Sequence, residues 1–446
     1  MTAEHRLQLL DDLLARARKA GADSADAIFV DGTSVSIAVR LGEIEHLERS
    51  EGADLGLRVF KGKRQACVSS SDVTPEALDD LVERAVAMAE TVPEDQFCGL
   101  ADAERIGSDY EEIDLDDPGE PSTEILEARA RAAEDAARAV TGVTNSEGAE
   151  ASFGRSRVAL AASNGFRGER AGTRSSISAS VLAGEGTAME RDYEYSSTVF
   201  AEDLDDPATV GRLAGEKAVA RLNPQKISSA SVPVVYDPRV AGSLLGHLAG
   251  AINGSAIARG TSFLKDKMGE SVFPAGVVVT DDPLRPRGLR SKPFDAEGLA
   301  TAKRNVIEDG RLTTWILDLH AARELGLEST GHAARGTSSP PSPSVTNLYL
   351  EPGKISRAEL IGAIDKGLLV TELIGMGVNG VTGDYSRGAS GFWIENGEIA
   401  YPVSEITIAG NLIDMFANLT AADDLKFKYG TDSPSVRIDG MTVAGK

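Results

Sequence analysis

Residues 367–403 read GLLVTELIGMGVNGVTGDYSRGASGFWIENGEIAYPV, a run in which glycines are interleaved with apolar and aromatic residues. Such a pattern suits antiparallel sheet, where glycine serves bends and close backbone approaches. The second half of the chain is therefore expected to be mainly sheet. It opens with VPVVYDP, a strand ending in a turn, and returns to a strand in GVVVTDD. The carboxyl end, SVRIDGMTVAG, reads as strand, turn, strand.

The first half mixes periods. Leu9, Leu10, Leu13 and Leu14 recur at helical spacing and the pattern stops near Gly21. DAIFV, SVSIAVR and LGLRVF then read as short strands. Thr74 as N-cap and Pro75 at the first helical position open a helix whose stripe is Leu78, Leu81, Val82, Ala85 and Val86. An acidic loop at residues 111–120 precedes an Ala-rich helix, STEILEARARAAEDAARAV. Residues 149–199 alternate as antiparallel strands with a turn at Asn164-Gly165, and DDPATVGRLAGEKAVARLNP adds a helix with a proline stop. Segregated helices and many short strands predict an α+β class. At 446 residues and 41% hydrophobic content, two domains are expected. A transition around residues 223–231 divides them into 1–226 and 227–446.

Sixty-nine acidic residues stand against 46 basic ones, a formal charge of -23. That field repels nucleic-acid phosphates and anionic headgroups, so neither nucleic acid nor membrane is an expected partner. The amino terminus lacks the pattern of a signal peptide, and no segment reaches the roughly 20 apolar residues that span a bilayer. Cys67 and Cys98 form neither a disulfide framework nor a metal spacing, and suit a reducing cytoplasm.

The five histidines, His5, His46, His247, His320 and His332, begin no H-E-x-x-H arrangement. His247 lies among Leu, Gly and Ala on a predicted helix, at the edge of a face made by Leu244, Leu245, Leu248 and Ile252. No G-x-S-x-G elbow or phosphate loop is present, and GMGVNG has the wrong continuation for a dinucleotide fingerprint. Asp281 and Asp282 lack the further ligands of a hard-cation site and read as turn caps. The Pro/Ser-rich stretch STGHAARGTSSPPSPS puts His332 and Arg335 on exposed or ligand-facing irregular backbone.

The chain resembles the TldD/PmbA family of modulator-of-DNA-gyrase proteins, in its PmbA, or TldE, branch. GTSFL from Gly260, VVVTDDP from Val277, STGHAARG from Ser329 and above all residues 367–416 carry the likeness, and GLRVFKGKRQACVSSSD from Gly56 extends it. The resemblance implies an α/β amino-terminal domain and a mainly antiparallel-sheet carboxyl-terminal domain. It also implies a cytoplasmic protease made with a TldD-like catalytic paralogue, acting on small or unfolded peptides. In the TldD branch an H-E-x-x-x-H helix and a tail cysteine bind zinc. Aligned on GTSFL, those helix positions fall on Leu245, Gly246 and Gly250, with His247 between them, and after Phe416 there is neither Cys nor His. Glycine and leucine can neither donate to zinc nor accept a proton from metal-bound water. The expectation is a noncatalytic subunit with no metal or catalytic residue of its own, zinc residing in the partner, and some capacity to form a homodimer when alone. Tyr385, Phe392 and Trp393 are candidate peptide-facing or interface aromatics, with His332 and Arg335 beside them, and Arg387 is a candidate anchor for a peptide carboxylate. Two other readings stand: an autonomous metallopeptidase with dispersed ligands, and a non-proteolytic modulator that binds a protein such as gyrase.

Overall fold

The computed structural model describes residues 2–107, 110 and 112–445; Glu111, the first residue of the expected acidic loop, lies outside them. Six strands of the first half form one antiparallel sheet in the order β3-β2-β1-β4-β5-β6. They are β1 (Ser24–Arg40), β2 (Glu43–Lys61), β3 (Arg64–Ser70), β4 (Val143–Ala162), β5 (Arg167–Ala183) and β6 (Glu190–Thr198). DAIFV and SVSIAVR, expected as two strands, are one 17-residue strand. Gly32 pairs with Gly52 across the β1–β2 register, so the chain passes through the glycine without leaving the ladder.

Helices cover one face of this sheet. Alternate residues of β1 point the same way: Ala25, Ala27 and Phe29 pack under α1 (Ala3–Lys19) and α2 (Pro75–Thr91). Further along, Val35, Ile37 and Val39 pack under α3 (Thr123–Arg138) and α4 (Pro207–Ala220). The caps follow the sequence: Thr2, Ser122 and Asp206 each accept a backbone N–H of the first turn. Thr74 is the N-cap of α2 by position, but its side chain makes no capping bond, and Pro75 starts the helix. On the opposite face Ile28 and Leu160 meet Phe166 and Phe294, joining the sheet to the second half.

The second half begins with β7 (Ala230–Tyr236), which runs through Asp237 directly into α5 (Pro238–Ala251). Asp237 caps this helix by accepting the Arg239 N–H at 3.0 Å, and Pro238 fills the first turn, where no donor is required. A mixed sheet of β8 (Val279–Asp281), β9 (Arg304–Glu308), β10 (Arg311–Leu312), β13 (Leu348–Leu350) and β18 (Thr431–Asp432) follows, with the short pair β11 (Ala333–Ala334) and β12 (Ser342–Pro343) beside it. The remaining strands are β14 (Lys366–Ile374), β15 (Asp384–Glu395), β16 (Glu398–Asn411), β17 (Leu419–Ala421) and β19 (Val436–Ala444). They line up with β7 as β16-β15-β14-β7-β19-β17, and a further β16–β19 pairing closes five of them into a ring.

Asn396 and Gly397, both at positive φ, turn β15 into β16, the two-residue turn that matches strand twist. The expected strand-turn-strand at the carboxyl end is instead one strand whose register slips between Ile438 and Met441. The Asp-Gly pair there makes a bulge because β7 continues to pair on both sides of it. The expected α+β class is the observed one.

Candidate functional site

Helix α5 carries the positions to which the resemblance directs attention. Leu244, Leu245 and Leu248 sink into the large core that also holds Val234, Val370 and Ile438 of the ring. Each buried leucine contributes about 1.5–3 kcal/mol. Gly246 and Gly250 lie on the outer side, exposed, and a Cβ on either would meet no atom within 4 Å. His247 sits at the edge between the faces and is half-buried.

Beside His247 stand two residues of β15. The Tyr385 ring meets the imidazole edge-on, with centroids 5.8 Å apart. Tyr385 is 1% exposed and its hydroxyl has no partner of hydrogen-bond geometry, although the Tyr236 hydroxyl adjoins it. Tyr236 itself lies 3.6 Å from the Met441 sulfur. Arg387 forms no ion pair among the described residues, and its Nε and His247 Nε2 are both buried without a partner. Burial, and then the charge of Arg387, lowers the His247 pKa, keeping the ring neutral to lower pH. Tyr236 is a member of this cluster that sequence reasoning missed; its only signal was its place at the end of a strand leading into the helix.

These groups do not fit zinc. Leu245 faces the core, Gly246 and Gly250 offer no side chain, and the nearest charge is a guanidinium, which repels a divalent cation. No group of three His, Cys, Asp or Glu side chains suited to a metal occurs among the described residues. Burial pushes the Cys67 and Cys98 thiols up, away from the thiolate form that binds metal.

The other candidates are dispersed. Phe392 and Trp393 point to opposite sides of β15: Trp393 enters the main core, while Phe392 lines an apolar cavity of about 410 Å³ with Leu213, Leu369 and Ile399. His332 and Arg335, expected on exposed or ligand-facing backbone, are inside. His332 is 1% exposed, with Nε2 3.1 Å from Asp281 Oδ2 and Nδ1 2.9 Å from Thr330 Oγ1. Asp281, expected as a turn cap, is a buried acceptor that also takes the Thr346 N–H at 2.7 Å and hydroxyl at 2.6 Å. Asp282 does cap, accepting the Leu284 N–H at 3.1 Å. Arg335 pairs with Asp26 of β1, which also holds Arg58 of β2, so the loop is drawn under the first sheet by a carboxylate. Neither Asp26 nor Arg58 drew notice in the sequence, since each lies in an ordinary strand pattern.

The PmbA/TldA metallopeptidase family profiles match in three parts: domain 1 over residues 25–89, the central domain over 116–222 and the C-terminal domain over 229–445. The chain is 38% identical to Metalloprotease PmbA of Escherichia coli O157:H7, covering 95% of this chain and 93% of that one. It is also 38% identical to the Metalloprotease PmbA homolog of Haemophilus influenzae, covering 96% and 94%. A crystal structure of a candidate modulator of DNA gyrase from Bacteroides thetaiotaomicron superposes with a TM-score of 0.90 at 27% identity, covering 98% of both chains. TldE from Thermococcus kodakarensis shares the fold, with a TM-score of 0.88 at 23% identity and coverage of 98% and 100%. With these matches spanning nearly its whole length, the chain belongs to the PmbA/TldD metallopeptidase family.

Proposed function

We propose that this chain is the noncatalytic, PmbA/TldE-type subunit of a cytoplasmic zinc metalloprotease, and that a TldD-like paralogue supplies the metal and the general base. The observation that carries this reading is α5 itself. The positions of the family's two histidines are Leu245 and Gly250 and that of its glutamate is Gly246, and the open space in front of the two glycines leaves a smooth helix face where a catalytic subunit would present these groups. Arg387 beside it adds a fixed positive charge. The subunit's part is to bind or enclose small or unfolded peptides against the partner's metal, and alone it self-associates.

The test is assembly and metal content measured together. The isolated chain is expected to hold well under one zinc after dialysis and to cleave peptides negligibly, and to form a mixed species with a TldD-like paralogue that cleaves peptides. One zinc per isolated chain, with activity lost to a chelator and restored by zinc, would replace this reading with that of an autonomous peptidase. Failure of two folded proteins to associate would favour a protein-binding modulator instead.

A further inference from the structure

The first sheet carries an uncommitted feature on the face away from its helices. Side chains of β1 alternate, so while Val35 and Ile37 face the helices, Gly32 and Ser34 face the other way. The register continues the small residues across four strands. Gly52, Gly32, Ser156 and Gly172 are successive cross-strand neighbours, and so are Ser50, Ser34, Gly154 and Arg174. With almost no side chains to fill it, the face holds a trough of about 460 Å³, roofed at one side by Leu115 and by Gly288, Leu289 and Ser291 of the second half.

What lines the trough is cationic. Arg170 sits on β5 one step along from Gly172 on the same face, opposite Val158, and reaches into the cavity. Among the described residues it has neither a hydrogen bond nor an ion pair. Burial alone pulls its pKa below the ordinary arginine value, since no carboxylate offsets the loss of water. Lys292 lies close enough to feel that charge: burial lowers its pKa, Arg170 lowers it further, and Asp295 and Asp281 oppose both. The Lys292 ammonium is held by the Ala333 carbonyl at 3.0 Å. Of the other arginines at the trough, Arg155 is already paired with Asp116 at 2.8 Å, and Arg174 donates to Ser197 Oγ at 3.0 Å. In a chain of net charge -23, a half-enclosed cavity built around an arginine without a counter-ion is a local reversal of sign. Low-dielectric walls focus such a field on an incoming anion.

We propose that this trough binds a small polar molecule ending in a carboxylate or phosphate group, with the Arg170 guanidinium holding the anionic end. A guanidinium presents paired donors that match the two oxygens of such a group. The hydroxyls of Ser34 and Ser156 lie on the same face and line the same space, ready to bond the polar remainder. A cavity of about 460 Å³ exceeds what a bare ion fills and falls within the range of small-molecule sites. This inference is independent of the noncatalytic reading, because no residue of the trough belongs to the α5 neighbourhood.

Isothermal titration calorimetry on the full chain at fixed ionic strength tests it, with tri-alanine, tri-alanine amide and inorganic phosphate as probes. Binding of tri-alanine but not its amide identifies a carboxylate ligand, and binding of phosphate alone identifies a phosphate ligand. In either case Arg170→Gln should weaken the bound probe by about tenfold or more, the loss of one charge-assisted bidentate contact. Gly154→Val should block the trough, and the new Cβ meets only ordinary contacts, the nearest being the Thr33 carbonyl at 3.6 Å. Because valine suits a strand, this variant keeps its melting temperature and decides the matter even where Arg170→Gln folds poorly. No heat from either anionic probe, or binding indifferent to both substitutions, overturns the proposal.

Discussion

His332 and His247 are both drawn into the second half of the molecule, yet their surroundings are opposites. His332 has both ring nitrogens engaged, against Asp281 and Thr330, and the neighbouring Arg335 is locked to Asp26 across the junction between the halves. His247 has a buried nitrogen with no partner, and shares its neighbourhood with an unpartnered tyrosine hydroxyl and an arginine without a carboxylate. A buried polar group left unpaired costs roughly 1–3 kcal/mol. The first region holds the halves together, and the second tolerates a cost that stability alone does not explain. Difference in satisfaction, not in residue type, separates the two histidines.

The sharpest break in that comparison comes at the junction. Asp26→Ala leaves Arg58 and Arg335 buried without their shared carboxylate and should cost about 3–5 kcal/mol. Urea denaturation would register this as a lower midpoint, and an unchanged midpoint would mean the two arginines find other partners. The next test is pH. Burial, and then the charge of Asp295, raise Glu297 to about 8, so the folded state holds a proton that the unfolded chain releases near the ordinary glutamate value. The native form then binds more protons between those two values, and stability must fall as pH rises from about 4.5 through 8. Glu297→Gln should flatten this slope in melts recorded from pH 5 to 9, and an equal slope in the variant would assign it elsewhere.

The α5 neighbourhood should respond far less. Tyr385→Phe removes a hydroxyl that has no partner of hydrogen-bond geometry while keeping the ring, so thermal stability should stay within about 1 kcal/mol of the parent or rise. A loss of several kcal/mol would reveal a bond between Tyr385 and Tyr236. The smallest effect is expected of His247→Ala: bound zinc and mass of the assembled complex unchanged, and peptide cleavage within a few-fold. Zinc lost from an intact complex would make His247 part of the metal site. Its lowered pKa sets a sign opposite to that of Glu297, since stability associated with a neutral ring is lost as pH falls below the unfolded histidine value.

Local order was legible and remote closure was not. The leucine spacing of α1, the Thr74-Pro75 start of α2 and the meander of residues 149–199 follow from periods and turn residues that each element carries within itself. The unbroken course of β1 through Gly32 depends on Gly52 of a neighbouring strand, and the bulge near Gly440 depends on β7 pairing from afar. That Leu245, Gly246 and Gly250 carry no carboxylate or imidazole is plain from three letters, whereas the burial of His332 is not. Its loop has the composition of a surface segment, and carboxylates far away in sequence, among them Asp281, Asp26, Asp295 and Asp54, draw it inward.

The closed ring also bears on how the protein is made. Val234 of β7 has Leu368 on one side and Ile438 on the other, so the first strand of the second half is completed by β14 and β19, both remote in sequence. Until β14 pairs, both edges of β7 are bare, and until β19 pairs one still is; contacts so remote in sequence are the slow ones to form. Without β19 paired the ring stays open and that strand edge is exposed to pairing with another chain. β19 thereby works as the seal of the ring, covering the edge with which the second half began.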